Sequence, residues 1–111
     1  SENKSKNFLD EFGLVLENYV FLELKRNWYS IKIWRLSNGK EIDFIAERNG
    51  IIKYFQVCYL LGGEDTIARE YASLEEINDN WEKYVVSFDE IDFWVSKGIK
   101  HIKIFDLERV L

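Results

Sequence analysis

The sequence has no proline, no methionine, one cysteine and one histidine in 111 residues. Without proline, the chain must reverse on glycine and asparagine, which tolerate positive φ. The lone thiol, Cys58, excludes an internal disulfide and fits a reducing compartment. His101 has no second histidine and only one cysteine elsewhere, too few partners for a zinc set. No apolar run reaches the roughly 20 residues of a membrane span, and the polar start is unlike a signal peptide. These absences describe a cytoplasmic protein, or a fragment of one, with no membrane partner. Positive charge is also short: 15 Lys and Arg face 20 Asp and Glu, a net charge of −5. A protein that lives by phosphate contacts normally shows the opposite balance, so this one is a poor candidate for independent, tight nucleic-acid binding.

Aromatic residues, by contrast, are abundant at 16 %, and only a folded core hides that much ring surface. The length suits one domain. Residues 1–7 are polar and are expected to fray as a disordered N-terminal segment, leaving 8–111 as the domain. Residues 8–25 read as a helix whose apolar face carries Phe8, Phe12, Val15, Leu16, Tyr19, Val20 and Leu22. Three strand-like runs follow, at 30–36, 41–47 and 51–60, separated by Asn38-Gly39 and Asn49-Gly50. Asn-Gly between β-rich runs marks a two-residue hairpin turn, because both central residues need positive φ. A second helix is predicted after Gly62-Gly63, capped by Asp65 or Thr66 and buried through Ile67, Tyr71, Leu74 and Ile77. Strands at 83–88 and 99–105 complete the pattern, and 106–111 has no clear assignment. The order is α-β-β-β-α-β-β. A strand reached through a helical crossover runs parallel to its neighbour, so the expected fold is α/β, with a mixed sheet around a three-stranded antiparallel meander flanked by helices.

Two-residue turns fix register. With Asn49-Gly50 as the turn, Asp43 lies opposite Gln56 and Glu41 opposite Cys58. With Asn38-Gly39 as the other, Trp34 lies beside Asp43 and Leu36 beside Glu41. One face then shows Lys32, Trp34, Leu36, Glu41, Asp43, Ile45, Tyr54, Gln56 and Cys58. The other shows Ile33, Arg35, Ile42, Phe44, Ala46, Phe55 and Val57, with Lys53 near its edge. The second face is core; the first mixes apolar and acidic groups. Opposed side chains have Cβ atoms roughly 5 Å apart, so Asp43 and Gln56 can share a ligand. Glu17 on the first helix has Gly13, Leu14, Val20 and Phe21 at helical spacing. A carboxylate on such a face must be paired, protonated or bound to a cation. Glu23, next to Arg26, reads instead as a solvated acid. This reading depends on both reversals keeping their register and on Glu17, Asp43 and Gln56 sharing a surface.

Glu17 on a helix, Glu41-Ile42-Asp43-Phe44 on a second strand and Gln56-Val57-Cys58 on a third resemble the PD-(D/E)xK, or restriction-endonuclease-like, superfamily. More narrowly, these residues resemble the C-terminal domain attached to many bacterial and archaeal AAA-type ATPases. Gly13-Leu14-Val15-Leu16-Glu17-Asn18, Arg69-Glu70, Lys83-Tyr84-Val85-Val86 and Gly98-Ile99-Lys100-His101-Ile102 extend the likeness over nearly the whole chain. The resemblance implies a Mg²⁺ site for phosphodiester hydrolysis, with Asp43 as central ligand, Glu17 as the helical acid and the Val57 carbonyl completing the set. It also implies an N-terminal ATPase domain as partner in a longer chain. Two departures stand out: the motif's second acid is Gln56, and its lysine is Cys58. Lys32 is the candidate replacement for the lysine and Glu41 for the acid.

Plain structural roles compete with each functional one. Asp43 pairs with Lys32 in the alternative, Gln56 bonds across the sheet, Cys58 is a small buried hydrophobe, Trp34 is packing, and Arg69-Glu70 is an ion pair or a phosphate contact. The favoured function is therefore a nuclease-like accessory domain with a degenerate metal site, binding nucleic acid or protein in a regulatory role. The alternatives are an active Mg²⁺-dependent nuclease using Glu17, Asp43, Gln56 and Lys32, and a protein-interaction domain with no nucleic-acid role. No Gly-rich loop ending in Lys-Ser/Thr is present, so the chain is not itself the ATPase.

Overall fold

The computed structural model describes residues 2–36, 39–90 and 96–111, and side chains within these from residue 11 onward. Helix α1 spans Glu2–Arg26 and so begins inside the segment expected to fray. Its buried stripe is Leu16, Val20 and Leu24, at a spacing of four. Val15, Tyr19 and Leu22, expected on the inner face, are exposed instead, and the Phe8 side chain lies outside the described residues. From Leu14 to Leu22 this helix is apolar on several sides, so periodicity alone cannot choose the face that docks.

The helix stops at a residue with positive φ. Trp28 has φ 70°; its N–H bonds to the Lys25 carbonyl and that of Tyr29 to the Leu24 carbonyl, both at 3.0 Å. This is the reversal that glycine normally makes at a helix end. Trp28 is 86 % exposed and recovers little of that cost through packing.

The meander forms from β1 (Ser30–Arg35), β2 (Glu41–Arg48) and β3 (Ile51–Cys58). Asn49 (φ 55°) and Gly50 (φ 79°) make the expected two-residue turn, and the β2–β3 register follows it from Arg48↔Ile51 to Phe44↔Phe55. The first reversal differs from expectation. Leu36 donates to the Lys40 carbonyl at 2.7 Å and Gly39, at φ 86°, to the Leu36 carbonyl at 3.0 Å, so the reversal closes between Leu36 and Lys40. Asn38, the other half of the expected turn, lies outside the described residues. Near this loop Arg35 faces Glu41 and Trp34 faces Ile42, whereas farther along Lys32 faces Ile45. Strand β2 thus carries one extra residue opposite Ile33, a β-bulge at Asp43–Phe44. The expected Trp34–Asp43 and Leu36–Glu41 pairs do not form, so the register on which the shared-surface reading rests holds between β2 and β3 and fails between β1 and β2.

Helix α2 (Glu64–Glu75) starts at Gly63 with no side-chain cap, rather than at Asp65 or Thr66; Glu64 and Asp65 complement the helix dipole in its first turn. Strands β4 (Glu82–Ser87) and β5 (Ile99–Lys103) add in parallel, giving a mixed five-stranded sheet in the order β1-β2-β3-β4-β5, as the α/β reading requires. A 3-10 helix, Ile104–Val110, takes the last two residues expected in the fifth strand and most of the stretch left unassigned, held by buried Ile104 and Leu107.

Both sheet faces carry core. On one, Leu16, Val20 and Leu24 of α1 pack on Phe44, Ala46, Phe55, Val57, Tyr84 and Val86. On the other, Tyr71 and Leu74 of α2 pack on Ile42, Tyr54, Val85 and Ile99. The bulge explains why Ile42 and Phe44, expected on one face, belong to opposite cores.

Replacing the strained exposed residue gives a direct check on the end of α1. Trp28→Gly should raise the unfolding free energy by about 0.5–1 kcal/mol, read from the urea midpoint at unchanged slope. A loss of stability would show that Trp28 holds contacts beyond its backbone role.

Candidate functional site

Beyond Phe44↔Phe55 the β2–β3 ladder gives way to side chains. The Asp43 N–H donates to Gln56 Oε1 at 2.7 Å, and the Val57 N–H donates to Asp43 Oδ2 at 2.8 Å. Two strand amides that the bulge would leave unpaired are thereby satisfied, and the Asp43 carboxylate is fixed beside the strand end. Glu17 and Leu14 of α1 contribute one wall, Val57 to Leu60 the floor, and Thr66, Arg69 and Glu70 of α2 the other wall of a cavity of about 580 Å³. Glu17 also borders a second hollow of about 320 Å³ with Asn18, Phe21, Ile33, Glu41, Asp43 and Phe44. Glu17 therefore stands between Asp43 on one side and Glu70 on the other.

Crowding and burial raise the proton affinity of this group. Burial first, then the charges of Asp43 and Glu41, push Glu17 up to about 7. Asp43 is pushed up to about 6 by burial, opposed by the Val57 amide and reinforced by Glu41. Glu70 rises to about 7 through burial and the Asp43 charge, with Arg69 pulling it down and Glu17 pushing it up. Three carboxyl groups thus change charge close to neutral pH, which is the condition for proton exchange or for attracting a cation. Cys58, pushed up to about 12 by burial and by Glu70 and Asp89, remains a thiol and behaves as a small packing residue.

The structure brings together only part of the expected set. Glu17 and Asp43 converge. Gln56 is buried, and its carboxamide oxygen is engaged by the Asp43 amide rather than presented beside the carboxylate. Lys32 lines a separate cavity of about 410 Å³ with Trp34 and Tyr54, on the face that α2 covers in part. Glu41 is held by Arg35 at 2.7 Å, so it is not a free substitute for the missing acid. Val57 meets Asp43 through its N–H. Among the described residues, no three Asp, Glu, His or Cys side chains stand so as to hold a metal ion. The ligand set that the resemblance implies for Mg²⁺ does not fit these side chains as they stand.

Glu70 is the member that sequence reasoning missed. Arg69-Glu70 was visible as a charged pair, but only the docking of α2 shows which of its faces meets the end of β3. His101, by contrast, is structural: its Nε2 lies 2.7 Å from Ser87 Oγ, which donates to Asp89 Oδ2 at 2.5 Å, and Asp89 also accepts from the Leu61 amide at 2.8 Å. Glu23 pairs with Arg26 at 3.2 Å, apart from the site.

Fold and opening together define a mixed α/β domain with a carboxyl-lined cleft where β2 and β3 part. The chain belongs to the family described as Domain of unknown function (DUF4143), which matches residues 12–107. It is similar to an "Uncharacterized protein" of Haemophilus influenzae (strain ATCC 51907 / DSM 11121 / KW20 / Rd), 37 % identical over 91 residues. That match takes in 82 % of this chain but 22 % of the relative, so the chain spans about a fifth of the relative's length. No solved structure matches. No helix among the described residues is long and apolar enough to cross a membrane.

The three raised carboxyl groups carry a pH signature. Because the folded chain retains protons that the unfolded chain has released, stability should fall as pH rises from about 4 to about 7. Asp79, an exposed acid that slight desolvation raises and hydrogen bonds from Lys83, Tyr54 and the Trp81 amide hold low, acts below that window. Urea midpoints across this range should decline, and Glu17→Gln should flatten the decline. A midpoint that climbs through the window would contradict the crowded-carboxyl arrangement.

Proposed function

We propose that this chain is a nuclease-like accessory domain whose phosphodiester-cleaving site has decayed, serving a larger ATPase as a binding or regulatory module. The observation that carries the reading is the tie between the Asp43 amide and Gln56. The residue at the position of the second acid is neutral and engaged in holding the sheet together. Cys58 stands where the motif's lysine would, and Lys32 faces a different cavity. Arg69 is the one cation lining the described part of the main opening. Such a site carries its negative charge on groups that burial keeps partly protonated near neutral pH, and it lacks the ammonium to steer water. The net charge of −5 and the acidic mouth disfavour phosphate, so the partner class best supported is protein rather than nucleic acid. A match to about a fifth of a longer relative is consistent with an appended domain.

One observation favours a second reading, an active metal-dependent nuclease. Glu70 feels the charges of both Asp43 and Glu17, and could supply the acid that Gln56 does not. Nicking of supercoiled plasmid in millimolar Mg²⁺ or Mn²⁺, paired with calorimetric titration of the same ions, separates the two. The module reading expects intact plasmid and no micromolar ion binding. Nicking and micromolar ion binding that both disappear in Asp43→Ala and in Glu70→Gln would overturn it in favour of the enzyme.

A further inference from the structure

Strand β1 ends the sheet, and of the devices that keep edge strands single it carries two charged side chains, Lys32 and Arg35, the second already paired with Glu41 of β2. The sequence has no proline to block it, and the bulge lies in β2. Five of its six residues are exposed, including Ile33 at 70 % and Trp34 at 54 %. The other edge strand, β5, is five residues long and runs directly into the 3-10 helix. Beside β1, the cavity lined by Lys32, Trp34, Leu36, Ile45 and Tyr54 extends the apolar surface inward from the edge.

We propose that two copies of this chain pair antiparallel through β1, with Ile33 on the two-fold axis, to form one continuous ten-stranded sheet. Parity and charge select this register. Lys32 and Trp34 line the same cavity and so project from the same face. Antiparallel pairing centred on Ile33 sets Lys32 of each copy directly opposite Trp34 of the other. Lys32 makes no ion pair among the described residues, and the exposed indole offers it a ring face. The two-fold axis makes this contact twice. Ile33 meets its own copy on the opposite face, and Ile31 meets Arg35. A register centred on Lys32 would instead oppose two ammonium groups, which is repulsive. Each copy gains a partner for its unpaired edge amides and carbonyls, and a cover for two exposed apolar side chains. This pairing does not depend on the chemistry of the carboxyl-lined opening.

Sedimentation over a range of concentrations tests the proposal, and a cross-link tests its register. The wild-type chain should move from one to two chain masses as concentration rises. Ile33→Lys, at an exposed position, should weaken association at least about tenfold while leaving the far-ultraviolet circular dichroism unchanged. Ile33→Cys should form a disulfide-linked dimer under mild oxidation. Ile31→Cys, opposite Arg35, should not, and neither should the unsubstituted chain with Cys58 alone. A monomer at every concentration would overturn the pairing. A dimer that survives Ile33→Lys, or that cross-links through Ile31→Cys in preference to Ile33→Cys, would overturn this edge and register.

Discussion

Two hydrogen bonds between β2 and β3 organise the functional end of the molecule. Where the backbone ladder stops, the Asp43 amide is received by the Gln56 side chain, and the Asp43 side chain receives the Val57 amide. The exchange makes a bulge tolerable inside a sheet, because each amide released from the ladder finds a partner before it is buried. It also fixes where the carboxylate of Asp43 points. Glu17 of one helix borders a hollow with Asp43 and a larger cavity with Glu70 of the other helix, and the mutual repulsion of the three is tolerated because burial already favours the protonated forms.

The same pair of bonds separates what the site retains from what it lacks. An acid that must both brace a strand and bind an ion has one oxygen committed to the brace. A glutamine in the neighbouring position completes the brace without adding charge. Among the described residues no three Asp, Glu, His or Cys side chains stand so as to hold a metal ion.

Much of this arrangement could be read from residue order, and the parts that could not have specific physical causes. The Asn49-Gly50 turn was legible because positive φ at both positions admits few other geometries, and β2–β3 pairing followed from it. The parallel addition of β4 followed from the helical crossover. The first hairpin was misread because its closing bond runs from Leu36 to Lys40, one residue off the count from a two-residue turn. Counting from a two-residue turn then put Asp43 beside Trp34 and grouped Ile42 with Phe44. A bulge leaves almost no trace in composition, since its identity lies in the pairing of two strands rather than in either one. Glu17 was recognisable by its apolar surroundings. Glu70 was not, because its role depends on how α2 docks. Lys32 was assigned to the site by strand parity, and the bulge decouples that parity from the Asp43 position.

The bond from the Val57 amide to the Asp43 carboxylate can be watched as Asp43 titrates. Backbone amide chemical shifts recorded from pH 4 to pH 8 should show the Val57 resonance moving through a single sigmoid with its midpoint at about 6, the value to which Asp43 is pushed. Gln56→Leu should change the Asp43 amide most and leave the Val57 transition in place. A Val57 amide indifferent to pH over this range would contradict the account, because it would mean that the carboxylate is not seated on that strand.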